Sequence, residues 1–282
     1  MESCEDTLSG RDFARLSNLV HAETGIRLRA EKKTMLEGRL RRRLRALDLE
    51  TYASYCAYLL ENDGLRREKT AFIDAVTTNK TDFFREPRHF DLLKRRVLPE
   101  LCQCAADRPL LLWSAACSSG EEPYTLAMVL SEYAKTHPGV RFRVLATDIC
   151  TEVLATAELG VYAGHTAEAI QPELRRKYLM RSRTPGSDRV RIVPELRETV
   201  EFRRLNLMDA DYGLAEQADA IFCRNVLIYF DRATQESVLR RLSRCLCPRG
   251  YLFVGHSETL HSMDLPLVPI APALYRKAHE RS

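Results

Sequence analysis

One block constrains the fold of this chain more than any other: Leu111-Leu-Trp-Ser-Ala-Ala-Cys-Ser-Ser-Gly-Glu-Glu-Pro123. An apolar run, Leu110 to Trp113, gives way to small residues, Ser114 to Gly120. Two acids follow, then Pro123 and an amphipathic stretch from Tyr124 to Tyr133. The order predicts strand, tight loop and helix. Proline suits a first helical turn because the N–H it lacks would have no partner there. Small residues let backbone come close to a ligand at the helix start. Loops of this kind bind nucleotides at the carboxyl edge of an open α/β sheet. One glycine and two carboxylates suit a cationic or hydroxyl-bearing ligand better than a pyrophosphate, whose loops are Gly-rich and often carry lysine.

The pattern around the block supports the same class. Strands are predicted at 110–116, 141–147, 199–205, 219–224 and 250–255, and helices at 123–135, 151–158 and 232–246. Such alternation predicts a doubly wound α/β fold, a mostly parallel sheet covered on both faces. Leu267 to Tyr275 carries Pro269 and Pro272, which fits a sheet-edge strand or hairpin. Between Gly160 and Val200 the rhythm breaks. A helix from Pro172 to Leu179 and the turn Thr184-Pro-Gly-Ser-Asp188 predict a small inserted β-subdomain, about 163–198.

Residues from about 9 to 85 read as all-helical. Phe13, Leu16, Leu19 and Val20 recur at helical spacing, as do Met35, Leu36, Leu40, Leu44 and Leu47. A further helix starts at Thr51 and ends near Asn62-Asp-Gly64. Phe72 to Val76 is expected to begin another, and Pro87 and Pro99 to bracket a linking helix, Phe90 to Val97. The expected division is 1–88 for a small all-α domain and 89–282 for the α/β domain.

With 282 residues, 45% apolar and 29% charged, the chain has the composition of a globular protein. No window approaches the roughly 18 apolar residues of a membrane span. The opening Met1-Glu-Ser-Cys-Glu-Asp is acidic and is not expected to be a secretory signal. The nine cysteines include no Cys-x-x-Cys and no accompanying His cluster, so reduced thiols in a cytoplasmic protein, without a metal, are expected. Net charge is only +4 but uneven. Arg27, Arg29, Lys32, Lys33, Arg39, Arg41, Arg42, Arg43 and Arg45 stand against Glu31 and Glu37, a patch that should face a partner rich in negative charge.

Several residues could carry chemistry. Asp148 ends the second strand, where an acid can hold a ribose diol; the plainer role is a cap for the helix from Thr151. Asn206 follows the third strand and is most simply a turn residue, with Leu207 beside it able to pack on a base. Arg224 and Asn225 are polar just where an apolar strand ends, and Tyr229 lies four residues on, as a site or a core residue. Asn79, Thr81 and Arg85 would point the same way on an extended segment, whereas Thr81 and Arg85 would share a face on a helix. For His256 and Glu258 a structural role is preferred over acid–base catalysis. No Gly-x-Ser-x-Gly supports a nucleophilic triad.

With these segments in order, the chain resembles the chemotaxis receptor methyltransferases, the CheR family. The resemblance is carried by Thr77-Thr-Asn-Lys-Thr-Asp-Phe-Phe-Arg-Glu86, Trp113-Ser-Ala-Ala-Cys-Ser-Ser-Gly-Glu-Glu-Pro-Tyr124, Ala146-Thr-Asp-Ile149, Ile221-Phe-Cys-Arg-Asn-Val-Leu-Ile-Tyr-Phe-Asp231 and Phe253-Val-Gly-His-Ser-Glu258. It implies a Rossmann-like S-adenosylmethionine-dependent methyltransferase domain with an inserted β-subdomain, behind a small all-α domain. It implies methyl transfer to glutamate side chains of chemoreceptors, with S-adenosylhomocysteine as product. Carried across by motif, Asn79, Thr81 and Arg85 would reach the cofactor from the domain seam, with Glu122 in its loop. Asp148 would hold the ribose, Asn206 and Leu207 would flank the adenine, and Arg224 and Asn225 would complete the site. Arg85 and Tyr229 would stand at the reacting centre, and the basic patch would dock on acidic receptor helices.

Two features bear on specificity. Enteric relatives bind a receptor C-terminal pentapeptide through a Gly-rich hairpin turn. Here Arg181-Ser-Arg-Thr-Pro-Gly-Ser-Asp188 has one glycine, so a pentapeptide-independent enzyme is expected. The place of the Asn/Asp-Pro-Pro-Tyr motif of amide and adenine N-methyltransferases reads Arg224-Asn-Val-Leu. That weighs against the competing RNA methyltransferase and against nucleic acid as a partner. A non-catalytic cofactor-binding regulator is the other alternative. A monomer is expected.

Overall fold

The computed structural model describes residues 6–104 and 108–278. Met1 to Glu5, on which the signal-peptide reading falls in part, lie outside the described residues. The N-terminal helices are α1 (Gly10–Thr24), α2 (Lys33–Ala46), α3 (Tyr52–Glu61) and α4 (Gly64–Val76). Local chemistry sets their ends. Ser9 accepts the Asp12 N–H at the start of α1, and Gly25 stops it at φ 73°. Thr51 and Ser54 form a reciprocal capping box on α3. Leu16, Leu36, Leu40, Tyr55 and Phe72 are fully buried in one shared core. The expectation that Phe72 begins a helix is corrected: Phe72 to Val76 closes α4. The break at Asn62–Asp63 is so short that the next helix starts at Gly64. There a Cβ would stand 2.2 Å from the Tyr58 carbonyl oxygen, so only glycine fits.

The linking helix also runs past its expected end. It continues as α5 (Arg88–Leu92), a wide π turn (Leu93–Val97) and α6 (Leu98–Cys104). In the wide turn Leu98 N–H reaches back five residues to the Leu93 carbonyl. The loosened ladder takes in Pro99 without ending the helix.

The second half runs β1 (Leu110–Ala115), α7 (Glu121–Thr136), β2 (Phe142–Asp148), α8 (Thr151–Leu159), β3 (Val161–Ala163), α9 (Pro172–Tyr178), β4 (Leu179–Arg181) and β5 (Arg189–Ile192). It continues with α10 (Pro194–Arg197), β6 (Val200–Arg204), β7 (Ala218–Cys223), α11 (Arg232–Cys245), β8 (Leu246–Val254), β9 (Leu267–Ala271) and β10 (Leu274–Lys277). The main sheet has the order β6-β2-β1-β7-β8-β10-β9. Its first five strands are parallel. β10 and β9 add an antiparallel hairpin at the edge, with Pro269 on the outermost strand. A separate antiparallel sheet, β3-β5-β4, sits between α8 and β6 in the chain.

Alternation along β1 divides the core. Leu110 and Leu112 pack on one face with α7, and Leu111 and Trp113 pack on the other with α11. Each fully buried leucine in these layers contributes about 2 kcal/mol. β2 and β6 step away from β1 on one side, and β7 and β8 lie on the other. The order therefore reverses between β1 and β7, where open α/β sheets bind their ligands.

Candidate active site

A cleft of about 360 Å³ opens at that reversal, between the carboxyl edge of the sheet and the N-terminal helices. The ten residues that the family resemblance assigns to the site all line it. The loop after β1 turns tightly into α7 at Gly120, φ 97°, where a Cβ would lie 2.8 Å from the Tyr162 hydroxyl and from the Ala157 Cβ. Glu122, in the first turn of α7, accepts from Ser114 Oγ (2.7 Å) and Arg224 Nη1 (2.8 Å). Burial raises its pKa, against the pull of the Arg224 charge. Asp148, at the end of β2, accepts the Ser118 N–H (2.8 Å) and the Cys150 N–H (2.9 Å). Burial raises its pKa as well, opposed by these N–H dipoles.

Asp148 does not cap α8. That helix is capped from the other domain: Asp74 of α4 accepts the Thr151 N–H (2.8 Å) and hydroxyl (2.5 Å). Asn206 is more than a turn residue. Its amide donates to the Glu23 carbonyl at the end of α1 (2.7 Å) and accepts the Met208 N–H (3.0 Å). It thus pins the helical domain over the cleft beside the buried Leu207. Nearby, Arg27 N–H donates to the Tyr229 carbonyl (3.1 Å). Tyr229 is half-buried, packing partly on the core while facing the cleft.

Asn79 and Thr81 lie in a non-helical segment, so the helical pairing of Thr81 with Arg85 does not apply. The Asn79 carbonyl accepts from Ser118 Oγ (3.1 Å), tying the seam to the β1 loop. Arg85 curls back to donate to the Lys80 carbonyl (2.9 Å). Arg224 is almost wholly buried and bridges three segments. Besides Glu122 it donates to the Arg85 carbonyl (2.5 Å) and to Glu86 (3.0 Å).

Glu86 was not singled out from the sequence, although it directly follows Arg85. Its carboxylate takes Arg224 and the Asn225 amide (3.1 Å). Burial alone would raise its pKa; the bonds from Asn225 and Arg224 bring it down to about 2, so the group is ionised at neutral pH. Glu258 is buried and accepts the main-chain N–H groups of Gly255 in its own loop and of Asn225 in the loop after β7, in line with the preferred structural reading. Among the described residues Glu86, His89 and His256 bring three possible metal-ligand atoms within 4.8 Å of one another. A cation there would share its Glu86 carboxylate with Arg224, whose guanidinium lies 3.0 Å from it.

Two family descriptions match this chain: "CheR methyltransferase, all-alpha domain" over residues 11–77, and "CheR methyltransferase, SAM binding domain" over residues 79–270. The chain belongs to the CheR family. Chemotaxis protein methyltransferase 2 of Pseudomonas aeruginosa is 42% identical to it over 90% of this chain and 89% of its own length. The chemotaxis protein methyltransferase of Escherichia coli is 42% identical over 91% and 87%. That of Borreliella burgdorferi is 37% identical over 94% of each. As a CheR-family member the protein is an S-adenosylmethionine-dependent methyltransferase of chemotaxis. Neither the RNA methyltransferase nor the non-catalytic regulator is favoured.

The residues of the cleft fit that cofactor. Asp148 and Glu122 offer acceptors, and Arg85 offers a guanidinium. Ile149, Leu205 and Leu207 offer an apolar wall, and the backbone turns between them closely packed. A hydroxyl- and amine-bearing ligand with one carboxylate and an aromatic base matches such a donor and acceptor set.

The basic stretch serves several ends. Arg43 grips the buried Glu68 with two bonds, 2.7 and 2.9 Å. Arg39 donates to the Val76 and Thr77 carbonyls at 2.6 and 2.7 Å. Arg27, Lys32 and Arg39 line the cleft, while Arg29, Arg41, Arg42 and Arg45 are exposed. Among the described residues no helix is long and apolar enough to cross a membrane.

Proposed function

We propose that the acceptor is the side-chain carboxylate of glutamates on the cytoplasmic helices of chemoreceptors, giving glutamate methyl esters and S-adenosylhomocysteine. The observation that carries this reading is the cationic rim of the cleft. Arg27, Lys32 and Arg39 come from the helical domain and Lys80 and Arg85 from the seam, and these five cations line one cleft in which the acids are Asp82, Glu122 and Asp148. An excess of cations of this kind attracts a carboxylate acceptor.

S-adenosylmethionine supplies, when bound, an electrophilic methyl on a sulfonium. A glutamate carboxylate, pKa about 4.3, is already anionic at neutral pH, so no general base is needed. The work of the residues is alignment, which can supply on the order of 7–11 kcal/mol of a barrier. In this reading Asn79, Thr81, Glu122, Asp148, Asn206, Leu207, Arg224 and Asn225 hold the cofactor. Arg85 orients a carboxylate, and Tyr229 lines the methyl-transfer channel. The exposed arginines of α2 dock the acidic receptor bundle. The β4–β5 hairpin, with Arg181 and Arg183, supports action without a receptor C-terminal peptide. The catalytic unit is a monomer.

The test is transfer of labelled methyl to a chemoreceptor cytoplasmic fragment, followed by alkali. Release of the label as methanol is expected from a carboxyl ester. Alkali-stable label would assign an N- or C-methyl product and overturn the glutamate reading. A receptor fragment lacking its C-terminal peptide should be methylated as fast as the full one.

A further inference from the structure

Asn225 is held from two sides by carboxylates that do not themselves face the cleft. It sits just past β7 with φ 58°, a left-handed backbone that asparagine tolerates better than other side chains. Glu258, in the loop after β8, accepts the N–H groups of Gly255 (2.6 Å), Asn225 (3.0 Å) and Ile228 (3.3 Å). No ion pair among the described residues includes it. Its charge is met by main-chain dipoles, and a carboxylate buried in this way is costly unless those donors are in place. Glu86, from the seam, accepts the Asn225 side-chain amide (3.1 Å) and Arg224 Nη2 (3.0 Å), and is itself left-handed at φ 56°. The space between is filled. A Cβ on Gly255 would stand 2.6 Å from Asn225 Nδ2 and 2.9 Å from Glu258 Oε2.

We propose that Glu258 and Glu86 are positioning residues of the transfer site: together they fix the turn after β7, so that Arg224, Asn225 and Tyr229 meet cofactor and acceptor in register. The inference rests on the methyl-transfer reading and deepens it. Glu258 fixes the main chain of Asn225 and the start of the 3₁₀ turn Leu227–Tyr229. Glu86 fixes the side chains of Asn225 and Arg224. A shift of about 1 Å in an aligned site can cost a hundredfold in rate. Loosening this turn should therefore be felt in turnover more than in receptor capture, because the cationic rim comes largely from the helical domain.

The experiment uses the full chain with Glu258→Gln, Glu258→Asp and Glu86→Gln. S-adenosylhomocysteine affinity is read by calorimetry, backbone exchange of 224–229 by deuterium uptake, and kcat and KM on a receptor fragment. Glu258→Gln is expected to speed exchange at Asn225 and Ile228. It should lower kcat per cofactor-binding site by about tenfold or more and leave KM for the receptor near its wild-type value. The Asp variant, which keeps the charge, should recover part of the loss. Glu86→Gln should weaken S-adenosylhomocysteine binding by several-fold, since it loosens Arg224 as well. If Glu258→Gln fails to fold, Glu86→Gln decides on the same readouts. Wild-type exchange, affinity and kcat per site in the folded variants would overturn the inference. Exchange and affinity need no receptor, so a wild-type enzyme that methylates no receptor glutamate would sink the acceptor reading alone.

Discussion

Tyr229 lies between the core and the cleft. Its ring packs on the core beside α11, its carbonyl accepts the Arg27 N–H, and its remaining surface faces the cleft. Tyr229→Phe keeps the ring and removes only the hydroxyl, so stability should hold. Turnover should fall by roughly tenfold while S-adenosylhomocysteine affinity changes by less than about twofold. Paired measurement of kcat and Kd checks this, and unchanged turnover would remove Tyr229 from the reacting centre. Residues next to a strand end or a tight loop were legible in the sequence because their position follows from local pattern. Glu122, Asp148, Arg224 and Asn225 are of that kind. Glu86 was not, although it stands beside Arg85. Its importance comes from Arg224 and Asn225, which lie 138 and 139 residues away in the chain, and no local spacing encodes that meeting.

At the level of elements, the predicted strands and helices of the α/β half lie within two residues of their expected ends, because alternation and turn residues are local signals; the exception is β8, which starts at Leu246, four residues before its expected start. The misreadings came where packing overrides pattern. Gly64 starts α4 in a space that admits no side chain, and a π turn lets Pro99 sit inside a helix. The cap on α8 was equally hidden. The alternative role for Asp148, a cap on the helix from Thr151, gives way to Asp74, which reaches that helix from 77 residues away once the domains meet. Asp74→Ala leaves the half-buried N-terminus of α8 without its acceptor and should cost about 1–2 kcal/mol. Denaturant unfolding would show it, with Asp74→Asn keeping about half. An Ala variant as stable as the parent would mean that water replaces the cap at no cost.

Two properties belong to the whole molecule. The first is acid sensitivity. His89 is fully buried against Phe253 and His256, and burial, aided by the Arg224 charge, lowers its pKa to about 3. An unfolded imidazole titrates near 6.5. As pH falls below that value the unfolded chain binds a proton that the folded chain refuses, so stability is lost between about pH 6.5 and about pH 3. The contribution is at most about 1.4 kcal/mol per pH unit. Unfolding free energies of His89→Phe should therefore fall less steeply from pH 6.5 to 4.5 than those of the wild type; parallel curves would show that His89 takes up its proton in the folded state. The second is the charged face of the helical domain. Arg43 is neutralised by Glu68 and Arg39 is tied to main-chain carbonyls, so neither can be changed without loosening the contact of α2 with α4 and the segment after it. Arg42 and Arg45 are exposed and stand outside the cleft lining, so their charge is available to a partner at little structural cost. Reversing both to glutamate should raise KM for an acidic receptor fragment by about tenfold and flatten the fall of kcat/KM with salt, because steering by surface charge is screened within about a Debye length. S-adenosylhomocysteine affinity and Tm should stay at wild-type values. If cofactor binding falls together with receptor methylation, the face supports the fold rather than the partner; if neither moves, the receptor docks elsewhere, and the cationic rim of the cleft becomes the surface to test.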